Sequence, residues 1–132
     1  MGGYGDGHEL ATVEAYNPRA NAWRPCLPLS HRRADAVAGV VGGRLVVAGG
    51  YDGDDDLTSV EAYTPTGWTP LPPLPHAANY ATACVLNGRL YVMGGLGCDT
   101  LQVLEMFRGK WVCVDHQSRP AHLALVRGQP CT

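Results

Sequence analysis

The sequence predicts an all-β fold: an incomplete β-propeller of just under three blades, each blade a four-stranded antiparallel sheet. Three observations predict it. The chain repeats itself at an interval of 45 residues. Each repeat carries a glycine pair, a Glu-x-aromatic triplet and a Trp, in that order. Gly and Pro are abundant, at 17 and 10 of 132 residues, as suits short strands joined by many tight turns. Four short strands every ~45 residues is the period of a propeller blade.

The repeat is read by shifting the chain on itself. Trp23 falls on Trp68, Pro25 on Pro70, Pro28-Leu29 on Pro73-Leu74 and His31 on His76. Ala36, Ala38 and Val40 fall on Ala81, Ala83 and Val85. Gly43-Arg44-Leu45 falls on Gly88-Arg89-Leu90, Val47 on Val92, and Gly49-Gly50 on Gly94-Gly95. From Trp to glycine pair, 14 of 28 positions are identical, which marks duplication rather than chance. A second block follows each glycine pair: Glu14 with Tyr16, Glu61 with Tyr63, and Glu105 with Phe107. A Trp follows each aromatic, at Trp23, Trp68 and Trp111.

Each repeat resolves into four strands. Ala34 to Val41 and Tyr80 to Leu86 are small and apolar, as for first strands buried on both faces. Gly42-Gly43 and Asn87-Gly88 supply hairpin turns, because both can take positive φ. Arg44 to Ala48 and Arg89 to Met93 are second strands, ending at glycine pairs where backbone can approach backbone. Ser59 to Tyr63 and Leu101 to Phe107 are third strands, and a fourth surrounds each Trp. The Trp is an inter-blade packing residue, since one blade cannot bury both faces alone. The Glu, on an otherwise apolar strand, is expected to accept backbone N–H groups near the glycine pair.

Composition excludes several classes. The formal net charge of −2 argues against nucleic acid or an anionic membrane as partner. No apolar run approaches the ~20 residues that span a bilayer. The five cysteines, Cys26, Cys84, Cys98, Cys113 and Cys131, are odd in number and form no CxxC pair. That points to reduced thiols and a cytoplasmic protein rather than a disulfide framework or a zinc site. Cys84 and Cys113 read as buried small hydrophobes, and Cys98 as a loop thiol.

The segments Val47-Ala48-Gly49-Gly50-Tyr51-Asp52-Gly53, Leu57-Thr58-Ser59-Val60-Glu61-Ala62-Tyr63 and Trp68-Thr69-Pro70-Leu71-Pro72-Pro73-Leu74 resemble the kelch repeat family. The resemblance covers nearly the whole chain. It implies a propeller, usually of about six blades, that binds other proteins. Many kelch relatives carry a BTB domain ahead of the propeller and present substrates to a cullin-3 ubiquitin ligase. For this chain the resemblance implies that role only through a longer parent.

The expected organisation is a partial blade at 1–32, full blades at 33–78 and 79–118, and the first strand of a further blade at 119–132. Met1-Gly2-Gly3 matches Met93-Gly94-Gly95, so the chain is expected to be a fragment, a truncated isoform or an internal start of a longer protein. Open blade edges make self-association an expectation.

The resemblance implies partner binding by loops at one propeller face, between second and third strands and between blades. The matching residues are His31, Arg32, Arg33 and Asp35; Tyr51, Asp52, Asp54 and Asp55; and His76, Asn79 and Tyr80. Arg32 and Arg33 suit bidentate contact with an acidic partner motif. The acidic loop from Asp52 to Asp56 suits a basic one and lacks the EF-hand spacing for calcium. No catalytic constellation, metal site or cofactor motif is expected. The leading function is a protein-interaction scaffold, and possible substrate recruitment to cullin-3 follows from the resemblance. The alternatives are an enzyme of the sugar epimerase or copper oxidase class on a similar propeller, and an actin-linked scaffold.

Overall fold

A computed structural model describes residues 1–96, 101–105 and 110–114. It is all-β, with twelve strands and no helix among the described residues. The pairs β1 (Tyr4–Gly5) with β2 (His8–Glu9) and β3 (Val13–Asn17) with β4 (Ala22–Cys26) form two hairpins. The strands β5 (Val37–Val41), β6 (Arg44–Ala48), β7 (Val60–Thr64) and β8 (Gly67–Leu71) form one four-stranded antiparallel sheet in chain order. A second sheet repeats it with β9 (Thr82–Leu86), β10 (Arg89–Met93), β11 (Leu101–Glu105) and β12 (Lys110–Val114). The expected second strands are thus met residue for residue. Both lead from positive-φ turns: Gly42-Gly43 at +56° and +75°, and Asn87-Gly88 at +49° and +71°. Positive φ at both central residues gives the turn whose twist matches the flanking strands.

Cross-strand pairing assigns the faces. Val37, Gly39, Val41, Val46, Ala48, Val60 and Ala62 lie toward the β9–β12 sheet, and most join one core with Leu74, Ala78, Leu90 and Val92. A Cβ on Gly39 would fall 2.6 Å from Val85 Cγ2, so glycine is what lets the two blades close here. The opposite face of the β5–β8 sheet contributes Val47 to a smaller cluster with Val13 and Leu29, packed by Trp68.

The first strands differ from expectation. β5 is buried on one face only: Val37 and Val41 are buried, whereas Ala38 and Val40 are exposed. Val47 on the same face as Ala38 and Val40 packs against Val13 and Leu29, and that cluster does not include Ala38 or Val40. In β9, Cys84 is likewise exposed rather than buried, on the face turned away from the β5–β8 sheet. The expected strand at Ala121 to Val126, the Phe107 position and Cys98 and Cys131 lie outside the described residues.

The glycine pairs carry the chain across the blade junction. Gly49 and Gly50 take φ of +65° and +97°, and Gly50 N–H donates to the Ala78 carbonyl at 2.7 Å. A Cβ on Gly49 would run into that same carbonyl. Gly49→Ala therefore combines a left-handed backbone with a backbone clash and should cost more than 2 kcal/mol, about twice the conformational term alone. Gly43→Ala, whose Cβ points into open space, should cost only about 1–2 kcal/mol. Urea titration of both variants measures the difference.

Candidate functional site

Strand direction sorts the loops. β6 ends, and β5, β7 and β9 begin, at the same end of the sheets, so the 49–59 loop and the 27–36 and 72–81 connections meet there. The tight turns lie at the other end. Backbone bonds knit the loop end together. Ala34 and Tyr51 exchange both N–H···O bonds at 2.8 and 2.9 Å, Leu57 N–H donates to Gly50 O at 2.7 Å, and Ala78 N–H donates to Leu57 O at 3.2 Å. Asn79 Nδ2 donates to Asp56 Oδ1 at 2.7 Å, joining a connection to the neighbouring loop.

The residues expected to bind a partner are therefore brought to one end, in different states. His31, Arg32, Asp35, Asp54, Asp55, His76 and Tyr80 are exposed there. Asp35 and Tyr80, equivalent across the 45-residue shift, both hold positive φ, +50° and +56°. A left-handed tyrosine, 66% exposed, is an uncommon conformation held by its surroundings. Tyr51 is half-buried and donates its hydroxyl to Gly53 O at 2.7 Å. Partial desolvation, then the carboxylates of Glu9, Asp54, Asp52 and Asp56, push its phenol above the usual range. Asp52 shapes the loop: its Oδ1 accepts the Asp54 and Asp55 N–H groups at 2.9 and 2.8 Å, and those bonds hold its carboxyl below the usual range. Glu9, which sequence reasoning left out, reaches the same loop from the β1–β2 hairpin, with Oε2 2.7 Å from where a Cβ on Gly53 would stand.

Arg33 and Asn79 are buried. The Arg33 guanidinium, 1% exposed, donates to Glu61 Oε1 at 2.7 Å, Ser59 Oγ at 2.9 Å, Ser59 O at 3.2 Å and Gly49 O at 2.6 Å. Glu61 Oε2 accepts the Ser30 N–H at 2.9 Å. Burial alone would raise the Glu61 carboxyl, but the Ser30 and Arg33 bonds and the Arg33 charge outweigh it and hold the carboxyl below its ordinary range. The backbone contact expected of the repeated Glu is thus present at Glu61, with an arginine added that fastens it to the glycine pair, whereas Glu14 is exposed. Trp68 Nε1 donates to Leu27 O at 2.9 Å and Trp111 Nε1 to Pro72 O at 2.8 Å, so two of the three tryptophans tie a blade to the preceding connection.

In the next blade the residue at the Glu61 register is Gln102, not Glu105. Val92 faces Gln102 as Val47 faces Glu61, and Leu104 stands across from Trp111 as Tyr63 does from Trp68. Gln102 accepts from His76 N–H at 2.9 Å and donates to His76 O at 3.1 Å. The three changes go together. Pro75 replaces Ser30 and has no N–H, Ala78 replaces Arg33, and a neutral amide replaces the carboxylate that would be buried without a cation. The 45-residue alignment shows Arg33 changing to Ala78 but sets Glu61 against Met106, so only strand pairing brings Gln102 to the Glu61 position. Among the described residues no group of three or more His, Cys, Asp or Glu is placed to hold a metal ion.

Arg33→Ala should destabilise by about 3 kcal/mol, because it leaves the Glu61 carboxylate buried and unpaired. Arg33→Ala with Glu61→Gln, which copies the second junction, should cost less than the sum of the single changes in denaturant titrations. Glu61 titrates lower folded than unfolded, so its contribution is complete above the unfolded carboxylate value near pH 4 and fades as pH falls through the folded value. The double variant should lack that component of acid sensitivity.

Comparison with known proteins agrees with this architecture. The Kelch motif matches residues 1–30 and 32–75. The chain is 41% identical over 56 residues to spermatocyte protein spe-26 of Caenorhabditis elegans, covering 42% of this chain and 10% of that protein. It is 37% identical over 59 residues to Kelch-like protein 21 of Danio rerio, covering 44% and 10%. It is 41% identical over 51 residues to Kelch-like protein 4 of Homo sapiens, covering 39% and 7%. The matched stretch spans about a tenth of the length of these curated relatives. With its blades, glycine pairs and motif match taken together, the chain belongs to the Kelch motif family and carries the repeat of a protein-interaction scaffold.

Proposed function

We propose that the chain is the partner-binding part of a longer cytoplasmic protein, and that the partner is a protein docking on the loop end. One observation carries this reading. Loops and connections from adjacent blades are locked together by backbone bonds and by Asn79–Asp56, while Asp54, Asp55, Arg32 and Tyr80 stay exposed. A rigid frame with exposed aromatic and charged tips lowers the ordering cost of binding. With Arg33 directed inward, the loop end is dominated by the carboxylates of Glu9, Asp52, Asp54, Asp55 and Asp56. That balance favours a basic surface on the partner. In a longer parent, the same surface would hold a substrate for a cullin-3 ubiquitin ligase; an actin-linked scaffold is the other role for such a parent.

Affinity capture of the full-length protein, followed by mass spectrometry, separates the two roles. Cullin-3 with a loop-dependent protein supports substrate recruitment, and actin without cullin-3 supports the scaffold. Asp54→Asn with Asp55→Asn, and separately Tyr80→Ala, should each weaken the captured partner about tenfold without lowering the melting temperature. Arg44→Ala, at the turn end, should leave binding unchanged. Binding should also weaken as salt rises. Loss of the partner with Arg44→Ala alone would reject the loop end as the site.

A further inference from the structure

The Asp56–Asn79 contact at the loop end leaves one polar atom unsatisfied. Asn79 is 6% exposed, and its Nδ2 donates to Asp56 Oδ1 at 2.7 Å. Its own Oδ1 is buried and has no hydrogen-bond partner among the described residues. Turning the amide over would set that oxygen against the Asp56 carboxylate. The main chain on either side is also held. Ala78 N–H donates to Leu57 O, Gly50 N–H donates to Ala78 O, and Leu96 N–H donates to Asn79 O at 2.9 Å. A buried acceptor without a donor is unfavourable, and it marks a place where a donor from outside would be held strongly.

The same place lacks a cation. Asp54, Asp55 and Asp56 are exposed, and none of them is ion-paired among the described residues. Arg33, which the connection brings to this end, is buried and committed to Glu61. Tyr80, next to Asn79 in the chain, is 66% exposed and held at a φ of +56°. An unsatisfied acceptor, an unpaired carboxylate and an exposed aromatic ring therefore stand together.

We propose that Asp56 and Asn79 form a subsite for an arginine side chain of the partner, with Tyr80 beside it. The proposal deepens the reading of the loop end as a docking surface and rests on it. The Asn79–Asp56 bond sets a carboxylate and an amide oxygen next to each other, as two acceptors for one donor group. A guanidinium carries five N–H donors in a planar fork and can serve both at once. An ammonium is a compact, strongly hydrated charge that is served by the exposed carboxylate alone. The guanidinium plane also packs against an aromatic ring, which Tyr80 supplies. Asn79 Oδ1 is covered in the unbound chain, so the guanidinium enters by displacing an exposed neighbour, and Tyr80 is the exposed side chain adjacent to it. The subsite thus separates arginine from lysine, which the carboxylates of Asp54 and Asp55 do not.

The test titrates two capped tripeptides, Gly-Arg-Gly and Gly-Lys-Gly, into the whole chain and follows the Asn79 side-chain amide and the Tyr80 ring resonances. The arginine peptide should bind saturably, with a Kd on the order of 1 mM, and shift both resonances. The lysine peptide should bind about fivefold more weakly. Asp56→Asn changes an exposed residue and keeps an acceptor for Asn79 Nδ2, so it should weaken the arginine peptide about tenfold at an unchanged melting temperature. Asp54→Asn with Asp55→Asn should weaken both peptides alike and keep the preference for arginine. Absence of saturable binding, equal affinity for the two peptides, or arginine binding unmoved by Asp56→Asn would overturn the proposal. Capture from the full-length protein separates it from the reading it rests on. A partner lost with Asp54→Asn and Asp55→Asn but kept with Asp56→Asn removes the arginine subsite and leaves the docking surface. A partner indifferent to all three removes the docking surface, and the subsite with it.

Discussion

The structure depends on how one blade holds the segment that leads into it. An isolated four-stranded blade has two faces to cover and too few apolar residues to cover both. Its neighbour covers one, and the connection must be pinned at the junction. At the first junction a buried ion pair does the pinning. Arg33 comes from the connection, Glu61 from the third strand, and the guanidinium reaches on to the Gly49 carbonyl. Connection, strand and glycine pair are thus tied at one point. Desolvating two charges is unfavourable by itself, and the Ser30 N–H and the Ser59 oxygens offset it with further hydrogen bonds, although the buried Arg33 Nε has no partner among the described residues.

The second junction solves the same problem without charge. Gln102 clasps both the N–H and the carbonyl of His76, and Ala78 stands where an arginine would need a counterion. Both junctions keep the indole-to-carbonyl bond and the bond from the glycine-pair loop to the connection. The polar centre has therefore diverged while the apolar frame has not.

Much of the fold was legible because the repeat writes it twice. The 45-residue register located β6 and β10 to the residue, the Gly42-Gly43 and Asn87-Gly88 turns, and the tryptophans that pack between blades. What was less legible turned on pairing rather than pattern. Glu105 with Phe107 reads like Glu61 with Tyr63, but strand register sets Gln102 opposite Val92. Arg33 reads like a surface arginine, because a sequence does not show a counterion 28 residues away. Val40 and Cys84 read as buried because their strands are apolar, although burial requires a covering sheet on that side. At the loop end, the sequence found the residues that gather there but not their division. Arg33 and Asn79 serve the frame, while Arg32, Asp54, Asp55 and Tyr80 are presented outward.

Frame and presentation are linked. The junctions hold adjacent loops in register, and the exposed tips inherit that rigidity. Hydrogen exchange of the three tryptophan indoles tests the central claim most directly. The account predicts slow exchange at Trp68 and Trp111, whose Nε1 groups donate to Leu27 and Pro72, and fast exchange at the exposed Trp23. Equal exchange at all three, or fast exchange at Trp68, would contradict a chain held together by connections pinned at blade junctions.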